Sequence, residues 1–182
     1  MKTQPLPETV ILVDASDRET GRMEKLAAHR DGGHRHRAFS VLLFDGRGRW
    51  LLQRRAAGKY HFPNLWTNAC CSHPRPGETV PAAAARRLRE ELGVSVPLAE
   101  RFAFEYRADS PAEGLSEWEY DHVLAGLLPD ALPLAPDPAE VGETRFWTAP
   151  EIAAAIAATP SLFTPWFLHI WRKLQENKEI AP

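Results

Sequence analysis

A helix predicted between residues 79 and 93 is the feature that most restricts how this chain can fold. Thr79 can cap its first turn, Pro81 lies in that turn, and Gly93 follows the last turn. Small and aliphatic side chains share one face at the 3.6-residue period: Ala84, Ala85, Leu88 and Leu92. The other side carries arginines and glutamates. Such a helix must pack its apolar face on another layer of the protein.

Short apolar runs on both sides of this helix predict a sheet. Residues 39–44 and 50–52 flank the turn Asp45-Gly46-Arg47-Gly48 and predict a β-hairpin. Further strands are predicted at residues 9–13, 102–107, 118–128 and 144–147. We therefore predict the α/β (α+β) class, with a mixed, mostly antiparallel sheet flanked by helices.

Shorter helices complete the predicted architecture. A helical turn is predicted at residues 23–28, and another helix should follow Pro150. Thr164-Pro165 opens a last helix, in which Trp166, Ile170 and Leu174 share one face.

Length and composition favour one domain. A chain of 182 residues, 44% hydrophobic and 25% charged, can bury a core without disulfides or a structural metal. We expect a single domain over residues 1–182, with its core at about residues 9–175. The proline-rich stretch 128–138 should be a surface connection, because too little chain remains on either side for separate cores.

Charge and cysteine content exclude several kinds of partner. Lys plus Arg number 22 against 24 Asp plus Glu, so we expect no nucleic-acid partner. The N-terminus lacks a secretory pattern, and no apolar run approaches the roughly 20 residues of a membrane span. Cys70 and Cys71 are adjacent, so a mutual disulfide would be strained, and free thiols fit a reducing compartment. We expect a cytoplasmic monomer or homodimer without a membrane partner.

Paired carboxylates are the first candidate for chemistry. In a strand, residues two apart share a face, so Glu117 and Glu119 would lie together while Trp118 points away. Two such carboxylates repel each other unless they are solvated or share a cation. A solvated face is the common alternative for this pattern and remains open.

Histidines are the second candidate. The imidazoles at positions 29, 36 and 73 could complete a nitrogen and oxygen shell suited to Mn²⁺, Mg²⁺ or Zn²⁺. They lie on different segments, so spacing alone does not group them. Each histidine taken singly is more often a surface or hydrogen-bonded residue.

The segment from Ser72 to Val94 resembles the Nudix box, G-x5-E-x7-R-E-U-x-E-E-x-G-U, in which U is aliphatic. Ser72 replaces the opening glycine, and the matching positions are Glu78, Arg86, Leu88, Glu90, Glu91, Gly93 and Val94. Arg87 stands where the box has a metal-binding glutamate, and a cation there would repel Mg²⁺. The resemblance implies a Nudix-like fold but puts the usual pyrophosphohydrolysis in doubt. Arg87 and Glu91 could also form an i,i+4 ion pair.

With Cys71-Ser72-His73-Pro74 just ahead of this box, the chain resembles the type 1 isopentenyl-diphosphate isomerases from about Thr9 to about Trp171. The motifs that carry the resemblance are EKLAAH (24–29), HRAFS (36–40), RR (54–55), FPNLWTNACCSHP (62–74), ARRLREELGV (85–94), EWEYDH (117–122) and TPW (164–166). The resemblance implies an isomerase of isoprenoid biosynthesis that converts isopentenyl diphosphate to dimethylallyl diphosphate. Its expected partner is this small isoprenyl diphosphate.

The resemblance also implies roles for single residues. It implies that one divalent metal, Mn²⁺, Mg²⁺ or Zn²⁺, is held by His29, His36, His73, Glu117 and Glu119. Cys71 and Glu119 would be the proton-transferring pair across the substrate, and Glu91 would bind a second ion, Mg²⁺, on the diphosphate. The remaining diphosphate contacts would be Lys25, Arg55, Lys59 and Ser72. Tyr106 matches the tyrosine beside the glutamate, and Trp166 the aromatic side chain over the hydrocarbon.

The chemistry agrees with these roles, although simpler explanations stay open. Moving a double bond requires adding a proton at one carbon and removing one from another, so two groups on opposite faces are needed. A thiol in an electropositive loop can exchange protons near neutral pH. Cys71 could instead be a small buried hydrophobe, Trp166 a core side chain, and Arg55 and Lys59 solvated charges.

Two other functions compete with the isomerase hypothesis. The first is a Nudix pyrophosphohydrolase acting on a nucleoside diphosphate derivative, which would need a replacement for the glutamate missing at position 87. The second is a metal-binding or regulatory domain without catalysis. Release of inorganic phosphate or a nucleotide from such a substrate would support the hydrolase. Binding of isoprenyl diphosphates without turnover would support the non-catalytic domain.

Overall fold

The computed structural model describes residues 8–177, which form nine strands and four α-helices. The strands are β1 (Thr9–Val13), β2 (Glu19–Glu24), β3 (His36–Phe44), β4 (Trp50–Arg55), β5 (Trp66–Thr67), β6 (Cys70–Ser72), β7 (Ala99–Ser110), β8 (Leu115–Leu127) and β9 (Val141–Trp147). The helices are α1 (Lys25–Ala28), α2 (Val80–Leu92), α3 (Ala149–Ala158) and α4 (Pro165–Glu176), with a 3-10 turn at Pro160–Leu162. This arrangement confirms the predicted α+β class.

Strand β3 lies at the centre of a mixed sheet. It runs parallel to β8 along its whole length, from the pair His36↔Glu119 to the pair Phe44↔Leu127. Its other neighbours, β1, β4 and β6, are antiparallel to it. β7 pairs with β8 and β9 with β4, both antiparallel. The predicted hairpin is therefore short: β3 and β4 pair only at Leu43↔Leu51 and Phe44↔Trp50.

Side chains of β3 alternate between two hydrophobic cores. Phe39, Val41 and Leu43 belong to the core that contains the buried face of α2. Leu42 and Phe44 belong to the core that contains α4. This alternation follows from the two-residue period of a strand, and it places α2 and α4 on opposite faces of the sheet. The even-numbered residues of β3, His36 included, thus face the α4 side.

Helix α2 matches its prediction at both ends. Thr79 Oγ1 accepts a hydrogen bond from the Ala82 amide, and Gly93 ends the helix with φ of 70°. The buried face differs from the prediction in two places. Ala83 is buried whereas Ala85 is only partly buried, and Glu91 is buried although it is a charged residue. Glu91 is tolerated there because its carboxylate accepts hydrogen bonds from Gln53 and Arg87.

The N-terminal part of the chain departs from the prediction. Residues 23–24 end strand β2 instead of opening a helix, because β1 provides an antiparallel partner for residues 19–24. Only Lys25–Ala28 is helical, and the Glu24 carboxylate caps that turn by accepting from the amides of Leu26 and Ala27.

The remaining predicted elements are present. The strands predicted after α2 all form and begin earlier than predicted, and the last two helices begin near Pro150 and Pro165. Residues 128–138 form an irregular connection as expected, but Leu128 is buried, and Leu132 and Leu134 pack against the α2 core. Among the helices of residues 8–177, none combines the length and apolar character needed to cross a membrane.

Substitution of Gly93 tests how α2 is held. A Cβ at this position would lie 2.7 Å from Ala135 Cβ, and the backbone has φ of +70°. We expect Gly93→Ala to lower the free energy of unfolding by roughly 2–4 kcal/mol, from left-handed backbone strain plus the steric clash. Chemical denaturation measures this loss. Gly48→Ala is the control, because Gly48 has φ of +73° but no heavy atom within 4 Å. Equal losses in the two variants would contradict the role assigned to the Ala135 contact.

Candidate active site

One cavity gathers most of the residues predicted to form the site. The predicted residues that line it are Lys25, Arg55, Lys59, Cys71, Ser72, His73, Tyr106, Glu117, Glu119 and Trp166. His29 and His36 lie beside the two glutamates and are fully buried. Glu91 is the one predicted site residue that contacts neither the cavity nor these histidines in the described part of the chain.

Strand β8 brings the two carboxylates to one face, as the sequence predicts. Glu117 and Glu119 are 2% and 8% exposed, and both line the cavity. Trp118 points to the opposite face, where its ring lies under the guanidinium groups of Arg35 and Arg107. Two carboxylates buried this deeply need cationic or hydrogen-bonding partners.

Three histidine rings converge beside Glu119. His36 Nε2 lies 3.1 Å from His73 Nε2, and His73 Nε2 lies 2.8 Å from Glu119 Oε1. One ligand atom from each of His29, His36, His73 and Glu119 can be chosen so that all lie within 4.8 Å of one another. This grouping follows from the sheet, because His36 on β3 is the register partner of Glu119 on β8.

Hydrogen bonds on the far side of two rings fix their orientation. His29 Nδ1 lies 2.6 Å from the Lys25 carbonyl oxygen, and His36 Nδ1 lies 2.7 Å from the His34 carbonyl oxygen. A carbonyl can only accept, so both Nδ1 atoms carry the proton and donate. When such a ring is neutral, its Nε2 lone pair is directed at the cluster, the usual arrangement of metal-binding histidines.

Glu117 and His29 each add one unpartnered atom to this cluster. Glu117 Oε2 lies 3.0 Å from His29 Nε2, yet neither atom has a hydrogen-bond partner. Buried polar atoms are rarely left in this state. A divalent cation would satisfy both, and a set of imidazole nitrogens and carboxylate oxygens suits such an ion. The residues present therefore fit a metal.

The electrostatics of the cluster lead to the same conclusion. Burial disfavours protonation of His29, but Glu117 and Glu119 outweigh it and raise its pKa to about 9. Burial lowers the pKa of His73 to about 3, which keeps this imidazole neutral. Despite burial, the neighbouring imidazoles hold the pKa of Glu117 and of Glu119 below the ordinary value. Ionised carboxylates beside imidazole nitrogens form a strong donor set for a cation.

Cys71, Glu119 and Tyr106 line the same cavity. The Tyr106 hydroxyl donates to Glu119 Oε2 at 2.5 Å, because these residues are register partners across β7 and β8. Arg55 Nη1 lies 3.9 Å from Cys71 Sγ and supplies the expected positive charge. Burial nevertheless dominates and raises the pKa of Cys71 to about 12, so the group is a protonated thiol. Cys70 belongs to the opposite core and is fully buried.

Lys25, Lys59 and Arg87 of the cavity are already paired with carboxylates. Lys25 Nζ lies 2.7 Å from Glu8, and Lys59 Nζ lies 2.5 Å from Glu140. Arg87 Nη2 lies 2.5 Å from Glu91 Oε1, so the i,i+4 pair considered from the sequence is present. Lys59 and Arg87 overcome the effect of burial and lower the pKa of Glu140 to about 2. An anionic ligand would have to compete with these carboxylates for the cations.

Trp166 is both a cavity residue and a core residue. It is 3% exposed, and its ring lies 5.5 Å from Phe62 and 5.3 Å from the Arg55 guanidinium carbon. It also packs with the other buried residues of α4. Core packing and contact with a ligand are thus compatible for this side chain.

His61 and Arg87 line the cavity but were not among the residues assigned to the site from the sequence. His61 Nε2 lies 2.7 Å from Glu117 Oε1. Its loop connects β4 to β5, and no local pattern relates that loop to β8. The only signal available was the closeness of His61 to Lys59 in the sequence.

Comparison with known proteins gives a consistent family. The NUDIX domain model matches residues 34–167. Isopentenyl-diphosphate Delta-isomerase of Nocardia farcinica is 54% identical over 161 residues, which cover 88% of this chain and 91% of that protein. The protein of the same name from Halorhodospira halophila is 47% identical over 175 residues, 96% of this chain and 97% of that protein.

Solved structures agree at the level of the fold. A Nudix hydrolase of M. smegmatis, RenU, has a TM-score of 0.58 at 19% identity and covers 94% of this chain and 96% of its own. A MutT protein of Methanosarcina mazei has a TM-score of 0.62 at 13% identity, with 80% and 96% covered.

Proposed function

This chain belongs to the isopentenyl-diphosphate Delta-isomerase family and carries its Nudix domain, and we infer that it isomerises isopentenyl diphosphate to dimethylallyl diphosphate. The observation that carries this inference is the cavity itself. A thiol, a carboxylate bonded to a tyrosine and an aromatic ring line one buried space together with four cationic side chains. An alkene bearing a diphosphate needs this combination.

We propose that Cys71 and Glu119 are the proton-transferring pair. One group donates a proton to a carbon of the double bond, and the other accepts a proton from a neighbouring carbon, so no proton is gained or lost overall. The Cys71 thiol is protonated at neutral pH, whereas Glu119 is ionised and accepts a hydrogen bond from Tyr106. These protonation states support the proposal of one donor and one acceptor.

We propose that Trp166 and the exclusion of water stabilise the substrate carbocation that forms between the two proton transfers. A tertiary carbocation is attracted to an aromatic face by about 2 kcal/mol when water is excluded. Trp166 is 3% exposed, and Tyr106, which lines the same cavity, is 5% exposed. Exclusion of water also protects the cation from hydration.

The diphosphate is proposed to bind at the cationic end of the cavity. Lys25, Arg55 and Lys59 supply charge there, and Ser72 supplies a hydroxyl donor. Glu91 is proposed to bind a Mg²⁺ ion associated with the diphosphate. Glu91 now accepts from Arg87, which lines the cavity, so substrate binding would have to redistribute this ion pair.

His29, His36, His73, Glu117 and Glu119 are proposed to hold one divalent metal, Mn²⁺, Mg²⁺ or Zn²⁺. When bound, this ion supplies a positive charge that tunes the acidity of Glu119. The support is the convergence of Nε2 atoms and the unpartnered atoms of His29 and Glu117.

Removal of the metal should reduce stability as well as activity. A ligand at 100 times its dissociation constant stabilises the folded state by about 2.7 kcal/mol, which is roughly 5–10 °C in Tm for a chain of this size. We expect chelation to lower Tm by that amount and stop turnover, and added Mn²⁺ to restore both. His29→Ala should show no response to the chelator. Identical Tm values for the wild type with and without metal would contradict the proposed centre.

Product analysis tests the function and separates it from hydrolysis. The purified protein is incubated with Mg²⁺ and Mn²⁺ and either isopentenyl diphosphate or a nucleoside diphosphate derivative such as ADP-ribose. We expect dimethylallyl diphosphate from the first and no cleavage of the second. Nucleotide release without isomerisation would favour the hydrolase, and binding of isopentenyl diphosphate without turnover would favour a non-catalytic domain.

A further inference from the structure

We propose that His61 is a positioning residue of the metal centre, which holds Glu117 so that only one of its carboxylate oxygens is presented to the ion. The inference rests on the proposed metal site and adds a residue outside its ligand set. It concerns how the loop that carries Lys59 and His61 orients the carboxylate of Glu117.

The contacts of Glu117 carry the inference. His61 Nε2 lies 2.7 Å from Oε1, while Oε2 lies 3.0 Å from His29 Nε2 and has no hydrogen-bond partner. The carboxylate can only accept, so His61 Nε2 carries the hydrogen and donates it. Oε1 is thereby occupied, and Oε2 is the oxygen left for a cation beside His29. Glu117 is thus prepared to bind the metal through one oxygen.

The loop between β4 and β5 fixes the His61 ring. Arg55 Nη2 and Nε donate to the carbonyl oxygens of His61 and Phe62, at 3.2 and 3.1 Å. Phe62 and Asn64 adopt φ of 47° and 63°, a conformation that non-glycine residues keep only when their surroundings enforce it. His61 itself is 8% exposed and packs against Tyr60 at 4.3 Å between ring centroids.

This loop connects two parts of the site. Arg55 and Lys59, proposed for the diphosphate, flank the segment, and His61 joins it to a proposed metal ligand. Loss of the His61 hydrogen bond should therefore weaken metal binding first, because the Glu117 carboxylate is then free to rotate. Mutation of a residue that hydrogen-bonds a metal ligand commonly lowers metal affinity by about 10–100-fold.

Direct coordination by His61 is the competing explanation. One ligand atom each of His29, His61 and Glu117 can be chosen so that all lie within 4.8 Å of one another. Coordination through Nε2 would require that atom to lose its hydrogen and abandon Glu117. A side chain that keeps an N–H donor but is a poor metal ligand can therefore distinguish the two.

The test compares the Mn²⁺ dissociation constants of purified variants, measured by competition with a chromogenic chelator. We expect His61→Leu to weaken binding by about 10–100-fold and His61→Gln, which retains an N–H donor, to recover most of the loss. His61→Ala serves as a second donor-free variant if the leucine variant does not fold. The matched control is His122→Ala, because His122, like His61, bonds carboxylate oxygens, those of Asp17 and Glu100, but lies outside the cavity.

Each result decides the question. Wild-type affinity in the donor-free variants would overturn the inference and leave the metal centre intact. A loss in both His61→Leu and His61→Gln would overturn it in favour of direct coordination. Absence of Mn²⁺ binding by the wild type itself would instead refute the proposed metal centre, and the two failures are thereby separated.

Discussion

Cys71→Ala should reduce kcat by at least about 10²–10⁴-fold, the contribution typical of one proton-transferring group. Among the described residues that line the cavity, Cys71 is the only one with a thiol. The side chain lines the cavity at the short strand β6 and is not part of the α2 core, so its truncation should leave the fold intact. Steady-state kinetics with isopentenyl diphosphate measure the effect, and circular dichroism checks the fold.

Cys70→Ala is the matched control for this variant. Cys70 is the adjacent residue, but it faces the opposite core and is fully buried. Its truncation should reduce stability while keeping kcat within a few-fold of the wild type, a change of less than about 1 kcal/mol in the barrier. Near-normal turnover in Cys71→Ala, or an equal loss in both variants, would refute the role proposed for Cys71.

Glu119→Gln should produce a loss of similar or larger size, again at least about 10²–10⁴-fold in kcat. The amide has nearly the same shape as the carboxylate, but it cannot accept and release a proton. It also removes one negative charge from the group formed with His36 and His73. We therefore expect weaker metal binding as well, and a kcat that stays low when the metal is saturating.

Glu105→Gln is the control for Glu119. Glu105 lies on the neighbouring strand β7 but bonds Arg35 and Trp118 away from the cavity. Its replacement should leave both kcat and metal affinity unchanged. Full recovery of Glu119→Gln by excess metal would show that Glu119 is only a ligand and would contradict its proposed role in proton transfer.

Elements with local signals were predictable from the sequence. Helix α2 begins and ends where its cap residues predict, and the alternation of β8 places Glu117 and Glu119 on one buried face. The family motifs brought together residues from distant segments that no local pattern could group. Most of the residues named from that resemblance line one cavity.

Features that depend on pairing between distant segments were not predictable. The parallel pairing of β3 with β8 joins residues about 80 positions apart, and it sets His36 opposite Glu119. Strand β2 exists because β1 lies beside it. Glu91 follows the charged pattern of its helix, yet it is buried because Gln53 on β4 donates to it.

Deuterium transfer from solvent tests the central claim, that a thiol at position 71 and a carboxylate at position 119 exchange protons with carbon. The wild-type protein is incubated with isopentenyl diphosphate and Mg²⁺ in D₂O, and the product is examined by NMR and mass spectrometry. We expect dimethylallyl diphosphate carrying carbon-bound deuterium, and no labelled product from Cys71→Ala or Glu119→Gln. Product without deuterium from the wild type, or labelling at the wild-type rate in either variant, would contradict the account.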